Sequence, residues 1–121
     1  MRKLLLISAL ALLAPSAASA ADLSGAWKIV ADVGGMMVDV GCTFTQQGAN
    51  LTGTCARTDT PGEKPAAVTG TLDGSTVKWA YDVTFNDMPL HVAYTGQATS
   101  DTAMTGTIDV LGTSGTFTAS K

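Results

Sequence analysis

A five-residue phrase recurs along this chain: apolar, polar, Gly, polar, apolar or small. It reads Leu51-Thr52-Gly53-Thr54-Cys55, Val68-Thr69-Gly70-Thr71-Leu72, Tyr94-Thr95-Gly96-Gln97-Ala98 and Met104-Thr105-Gly106-Thr107-Ile108. Leu23-Ser24-Gly25-Ala26-Trp27 and Thr113-Ser114-Gly115-Thr116-Phe117 are looser copies. A period of two marks a strand with one buried face, and the Gly falls on the buried face each time. Glycine inside a strand weakens it, so regular use points to sharp coiling or to close approach of neighbouring backbones. A small closed barrel demands both. The phrase constrains architecture strongly and activity hardly at all.

Eight strands follow from the pattern: Leu23–Val33, Val38–Gln46, Leu51–Ala56, Val68–Leu72, Thr76–Phe85, Leu90–Ala98, Ala103–Val110 and Thr113–Ala119. The connections are short, as between antiparallel neighbours. Asp73-Gly74 is the strongest turn pair, followed by Leu111-Gly112 and Asn86-Asp87-Met88-Pro89. The longest connection, Arg57 to Ala67, holds Thr60-Pro61-Gly62 and Lys64-Pro65. Folding the chain about these turns sets a register. About Gly48-Ala49, Phe44 faces Gly53 and Cys42 faces Cys55. About Asp73-Gly74, Gly70 faces Val77 and Val68 faces Trp79. Across Asn86–Pro89, Tyr81 faces Tyr94 and Trp79 faces Gly96. About Leu111-Gly112, Phe117 faces Gly106. In three of these hairpins an aromatic ring covers a strand Gly, the arrangement called aromatic rescue. The expected fold is all-β, an eight-stranded antiparallel up-and-down β-barrel, with a two-sheet β-sandwich as the alternative.

Residues 1–20 read as a signal peptide. Arg2 and Lys3 precede the apolar run Leu4–Leu13, and Ala18-Ser19-Ala20 supplies small residues for cleavage. The run is too short to span a bilayer, and no Cys follows it to carry a lipid. The expectation is export to the periplasm or medium of a bacterium, with a single domain over residues 21–121. That part holds five basic residues against ten acidic ones, a net charge of −5. Such a domain, with no basic cluster, suits neither nucleic acid nor an anionic membrane. Two Cys in an exported chain imply one disulfide, and the hairpin register sets Cys42 opposite Cys55. No C-x-x-C spacing points to redox or metal work.

The inward phase carries Trp27, Phe44, Trp79, Tyr81, Phe85, Tyr94 and Phe117 among Val, Ile, Leu, Met and both Cys. It carries no carboxylate, ammonium or imidazole. Asp32, Asp39, Asp82, Asp109 and His91 have the outward phase. A general acid or base needs a pocket that shifts its pKa, so the expectation is a non-enzyme with no catalytic residue, no cofactor and no metal site. Up-and-down connectivity gathers Gln47–Asn50, Asp73-Gly74 and Ser100–Thr102 at one polar end. The other end gathers Gly34-Gly35-Met36-Met37, the long loop, Asn86–Pro89 and Leu111-Gly112. Exposed apolar residues at a barrel mouth read as a ligand entrance or a partner patch. The candidate site is therefore Met36, Met37, Met88 and Leu111 at the rim, with Trp79, Tyr81 and Tyr94 as the wall. A small apolar or amphipathic ligand is the leading reading, and a filled barrel acting through its surface in the cell envelope is the second. Cu(I) held by Met88, His91 and Met36-Met37 is a third, since thioether sulfur selects that ion.

Gly25-Ala26-Trp27 in the first strand resembles the Gly-x-Trp opening of lipocalins and their calycin relatives. That resemblance implies a Trp that closes the barrel floor under a basic residue from the chain's end, the part Lys121 would play. The order Gly-x-Trp, Leu51-Thr52-Gly53-Thr54, Val68-Thr69-Gly70-Thr71, Trp79, Thr95-Gly96-Gln97 also resembles the avidin and streptavidin pattern over most of the chain. Cys55 stands where that family has Tyr, and the later strands lack the Trp residues that box biotin. The resemblance implies the barrel and carries over no biotin site. The ending Thr105-Gly106-Thr107-Ile108 … Gly115-Thr116-Phe117-Thr118-Ala119 is similar to small exported bacterial domains of uncharacterised activity, some joined to amidohydrolases. It implies a barrel and export, and no reaction.

Overall fold

The computed structural model describes residues 22–60 and 62–121, so the expected signal peptide lies outside the described residues. Eight strands run in chain order: β1 Gly25–Val33, β2 Met36–Gln47, β3 Asn50–Arg57, β4 Ala66–Asp73, β5 Thr76–Phe85, β6 Met88–Ser100, β7 Ala103–Val110 and β8 Thr113–Ser120. Each pairs antiparallel with the next, and β1 pairs with β8 from Lys28↔Ser120 to Val33↔Gly115. That last ladder closes the barrel and removes the sandwich alternative. The interior is apolar, while Thr, Lys and Asp take the exposed positions of the strands. This is the reverse of a membrane-spanning barrel, which turns its apolar band outward.

Two of the expected registers hold and two shift. Phe44 lies opposite Gly53 and Cys42 opposite Cys55, and Gly106 lies opposite Phe117. Across β4–β5 the turn is Gly74-Ser75, so Gly70 faces Trp79 and Leu72 faces Val77. Gly74 has φ +63° at the first central position, and Ser75 is left with an ordinary negative φ. Across β5–β6 the turn is only Asn86-Asp87, so Trp79 faces Tyr94, Tyr81 faces Val92 and Val77 faces Gly96. Asn86 and Asp87 both adopt positive φ (52° and 62°). Their short polar side chains tolerate that conformation, which lets two residues close the hairpin. Met88 and Pro89 are thereby drawn into β6, with Pro89 near the strand's start where a missing N–H does least harm. Both corrections are shifts of two residues. Each side chain therefore keeps its face, and only its partners change.

The lower half of the barrel, at the polar end, is packed solid. Trp79 stacks on Tyr94 at 4.6 Å and 14°, and meets Phe44 and Phe117 edge-on at 5.2 and 5.3 Å. Tyr94 and Phe117 meet at 5.2 Å and 86°. Each such pair contributes about 0.5–1.5 kcal/mol beyond its buried area. Below this plug, Trp27 Nε1 donates to Leu23 O at 2.8 Å. Lys121 Nζ donates to Asp22 O and Ser24 O at 2.9 and 2.6 Å and stands 5.3 Å from the Trp27 ring centre. The segment 22–24 thus straps the barrel floor beneath Trp27, with the last residue as its clasp. The disulfide Cys42–Cys55 is formed, its Cα atoms 4.1 Å apart.

Candidate functional site

The other half of the barrel is not filled. Above Tyr94 the wall is built from Val33, Val38, Val40, Val83, Val92 and Val110, with Ile108, Leu90, Ala56, Thr84 and Phe85. The β-branched residues suit the strands, but they are too short to meet across the lumen. They leave a cavity of about 130 Å³ that opens at the end carrying the β1–β2, β3–β4, β5–β6 and β7–β8 connections.

Tyr94 forms the floor. Its ring belongs to the plug, and its hydroxyl lies 2.8 Å from the hydroxyl of Tyr81. Both residues are buried. Burial raises the pKa of Tyr81, although the bond to Tyr94 opposes the shift. Burial first, and then the neighbouring Tyr81, raises that of Tyr94 far above the usual phenol range. Two neutral hydroxyls therefore sit at the base of an apolar chamber.

The mouth carries charge that the strand reading excluded. Arg57 and Glu63 both line the cavity. Arg57 is the last residue of β3 and shares the inward phase of Leu51, Gly53 and Cys55; ending that strand at Ala56 hid it. Its Nε and Nη2 donate to Asp59 Oδ1 and Oδ2 at 2.9 and 3.1 Å. That fork raises the Arg57 pKa and holds the Asp59 carboxyl at about 2. Glu63 Oε2 accepts the Arg57 backbone N–H at 2.6 Å. Thr58 N donates to Asp39 O at 3.0 Å, and Asp39 N to Asp59 Oδ2 at 3.3 Å. The long loop is thus pinned across the rim to β2. Only its closeness in space to Arg57 brings Glu63 into the site, and no local sequence signal announces it.

The expected site residues divide into three groups. Tyr81 and Tyr94 line the cavity. Trp79 does not: it lies wholly in the plug, and its Nε1 has no hydrogen-bond partner among the described residues. Met36, Met37, Met88 and Leu111 are 53–64% exposed around the same end of the barrel, so these four side chains do not fold inward to plug the lumen. Phe85, expected inside, joins them at 57% exposure. It is the last residue of β5, and the tight Asn86-Asp87 turn leaves nothing above it to pack on. Met88 and His91 are three residues apart on β6, so they project from opposite faces of the sheet. His91 Nδ1 instead pairs with Asp82 Oδ1 at 2.8 Å on the outer surface. No group of three or more His, Cys, Asp or Glu able to hold a metal occurs among the described residues.

No family model matches the chain, and no curated protein matches it. Two solved structures are similar in fold. A redesigned beta barrel, b11L5F_LGL, superposes with a TM-score of 0.64 at 17% identity, covering 85% of this chain and 96% of its own. A second redesigned beta barrel, mFAP1, solved bound to DFHBI, gives a TM-score of 0.53 at 13% identity, covering 82% of this chain and 94% of its own. At such identities the likeness concerns the closed barrel alone.

Proposed function

We propose that this chain is an exported, non-catalytic binding module that takes a small apolar or amphipathic molecule into the open half of its barrel. The observation that carries this reading is the half-filled lumen: an aromatic floor, apolar walls and an open end ringed by exposed Met, Phe and Leu side chains. An open apolar chamber leaves its lining facing water, and a ligand of matching size buries that surface. That a neighbour of the same fold was solved with a small molecule bound agrees with this use of a barrel. No carboxylate, imidazole or ammonium is buried among the described residues. Among the described residues, the charged groups that line the chamber, Arg57 and Glu63, are tied to Asp59 and to backbone. The chemistry favours holding over turnover.

Native mass spectrometry of the purified protein tests this reading. An added mass of up to a few hundred daltons, or toluene binding detected by NMR, is expected for the native sequence. Both should disappear in Val110→Trp, which fills the half-buried wall at the mouth, with the far-UV spectrum unchanged. Equal toluene binding by both proteins would overturn the assignment of the site.

A further inference from the structure

The chamber floor leaves one hydroxyl proton without an acceptor among the described residues. The Tyr81–Tyr94 contact at 2.8 Å uses one O–H as donor and the other oxygen as acceptor. The accepting hydroxyl keeps its own proton, and neither oxygen has a second partner among the described residues. Tyr94 is 1% exposed and Tyr81 8% exposed. A buried O–H without an acceptor is costly, and an incoming oxygen relieves that cost. Because burial pushes both phenols up, the spare proton is present throughout the neutral range.

The mouth selects against negative charge. Among the described residues that line the cavity Arg57 is the one cation, and its guanidinium is already forked onto Asp59. Glu63 adds a second carboxylate, so the three groups sum to −1. An anionic ligand would lose hydration on entry, pass the carboxylates of Asp59 and Glu63 and find no free cation in the described lining of the cavity. Size adds a further limit. The cavity is about 130 Å³, and an engineered apolar cavity of about 150 Å³ takes benzene. We infer that the buried end of the ligand is a neutral group of single-ring size bearing an oxygen acceptor, such as a ketone, ester or lactone carbonyl, held by the Tyr81–Tyr94 hydroxyl pair. This inference rests on the binding reading above and adds the chemical class.

Three probes of nearly equal shape separate the possibilities: acetophenone, ethylbenzene and benzoate, each titrated into the purified protein at pH 7 and followed by heteronuclear NMR. Acetophenone is expected to bind about tenfold tighter than ethylbenzene, the value of one added hydrogen bond, and benzoate more weakly than either. The double variant Tyr81→Phe/Tyr94→Phe removes both hydroxyls together. Losing both partners of a buried pair at constant shape is nearly neutral to folding, whereas either single change would leave one donor in place. In that variant acetophenone should fall to the ethylbenzene value, with ethylbenzene unchanged. If ethylbenzene matches acetophenone in the native protein, the hydroxyl inference fails and the apolar pocket stands. Benzoate binding tighter than acetophenone would overturn the inference in favour of Arg57. If none of the three binds at millimolar concentration, the binding reading itself fails.

Discussion

Replacing Gly106 by Ala tests whether the recurring Gly phrase works by allowing backbones to touch. A Cβ built at Gly106 would lie 2.1 Å from Thr95 O, 2.4 Å from Gly96 Cα and 2.9 Å from Thr95 C. All three are backbone atoms of β6, so no side chain can swing aside. Ordinary contact begins near 3.4 Å, and the Thr95 carbonyl must therefore withdraw by about 1.3 Å. Neighbouring strands stand only about 4.7–4.9 Å apart, so such a shift breaks the local ladder. Overpacking costs about 1–3 kcal/mol, and two stretched ladder bonds add about 1 kcal/mol each. Against this, Ala restricts the unfolded chain and recovers about 0.4–1 kcal/mol. The clash wins, and the net loss is about 3–4 kcal/mol. Urea unfolding followed by circular dichroism should show a midpoint lower by roughly 1.5–2 M for a slope near 2 kcal/mol/M. Gly112→Ala is the control: nothing lies within 4 Å of its Cβ position, and φ is +81°. It therefore incurs only the left-handed backbone penalty of about 1–2 kcal/mol. If Gly106→Ala costs no more than Gly112→Ala, close approach is not why the strand glycines are there.

Three further expectations bear on the frame of the site. Cys42→Ala/Cys55→Ala opens a cross-link of sequence separation 13 and should lower stability by about 3 kcal/mol, read as a fall in melting temperature on the order of 12–24 °C. Trp79→Phe removes a buried Nε1 that has no partner among the described residues, whereas Trp27→Phe breaks the bond to Leu23 O and the contact with Lys121. Both lose similar area, so Trp27→Phe should be the more destabilising by about 1–3 kcal/mol in matched urea melts, and equal losses would show that the Leu23 bond contributes nothing. The folded-state pKa of Asp59 is depressed to about 2 from 3.8, chiefly by Arg57. Its contribution is present above the unfolded pKa and is lost as pH falls from about 4 to about 2, so melting temperatures of Asp59→Asn should decline less steeply over that window than those of the native protein.

The fold was legible because its signals are local and mutually consistent. Period-two burial, two-residue turns and Gly–aromatic pairs all point to the same closed sheet, and a turn displaced by one residue moves the register by two, which still leaves every side chain on its face. The pairing of Cys42 with Cys55 follows from the same hairpin arithmetic. The site was harder to read. Strand phase places Tyr81 and Tyr94 inside but does not say how far up the barrel packing extends, which is why Trp79, in the same phase, could not be separated from them. Arg57 stands one residue beyond the expected end of β3 and was lost to a boundary. Glu63 reaches the mouth through a loop whose path depends on bonds to Asp39 and Arg57, contacts that no spacing rule encodes.

The Gly phrase and the pocket are nonetheless connected through packing. Gly53, Gly70 and Gly106 lie opposite Phe44, Trp79 and Phe117, and Gly96 sits beneath the Phe117 ring, where a Cβ would come within 2.7 Å of its Cζ. A bare backbone position lets a ring lie flat across the lumen at that level. All four glycines fall in the half of the strands nearer the polar end, so the rings they admit gather there into one plug. Toward the mouth the inward positions pass to Val33, Val38, Val83, Val92 and Val110, and Gly115 at that level lies opposite Val33 and Ile108 rather than opposite a ring. The lumen therefore fills where glycine meets aromatic and stays empty where valine faces valine. The height of that boundary, marked by the Tyr94 hydroxyl, sets the depth of the chamber and the size of what it can hold.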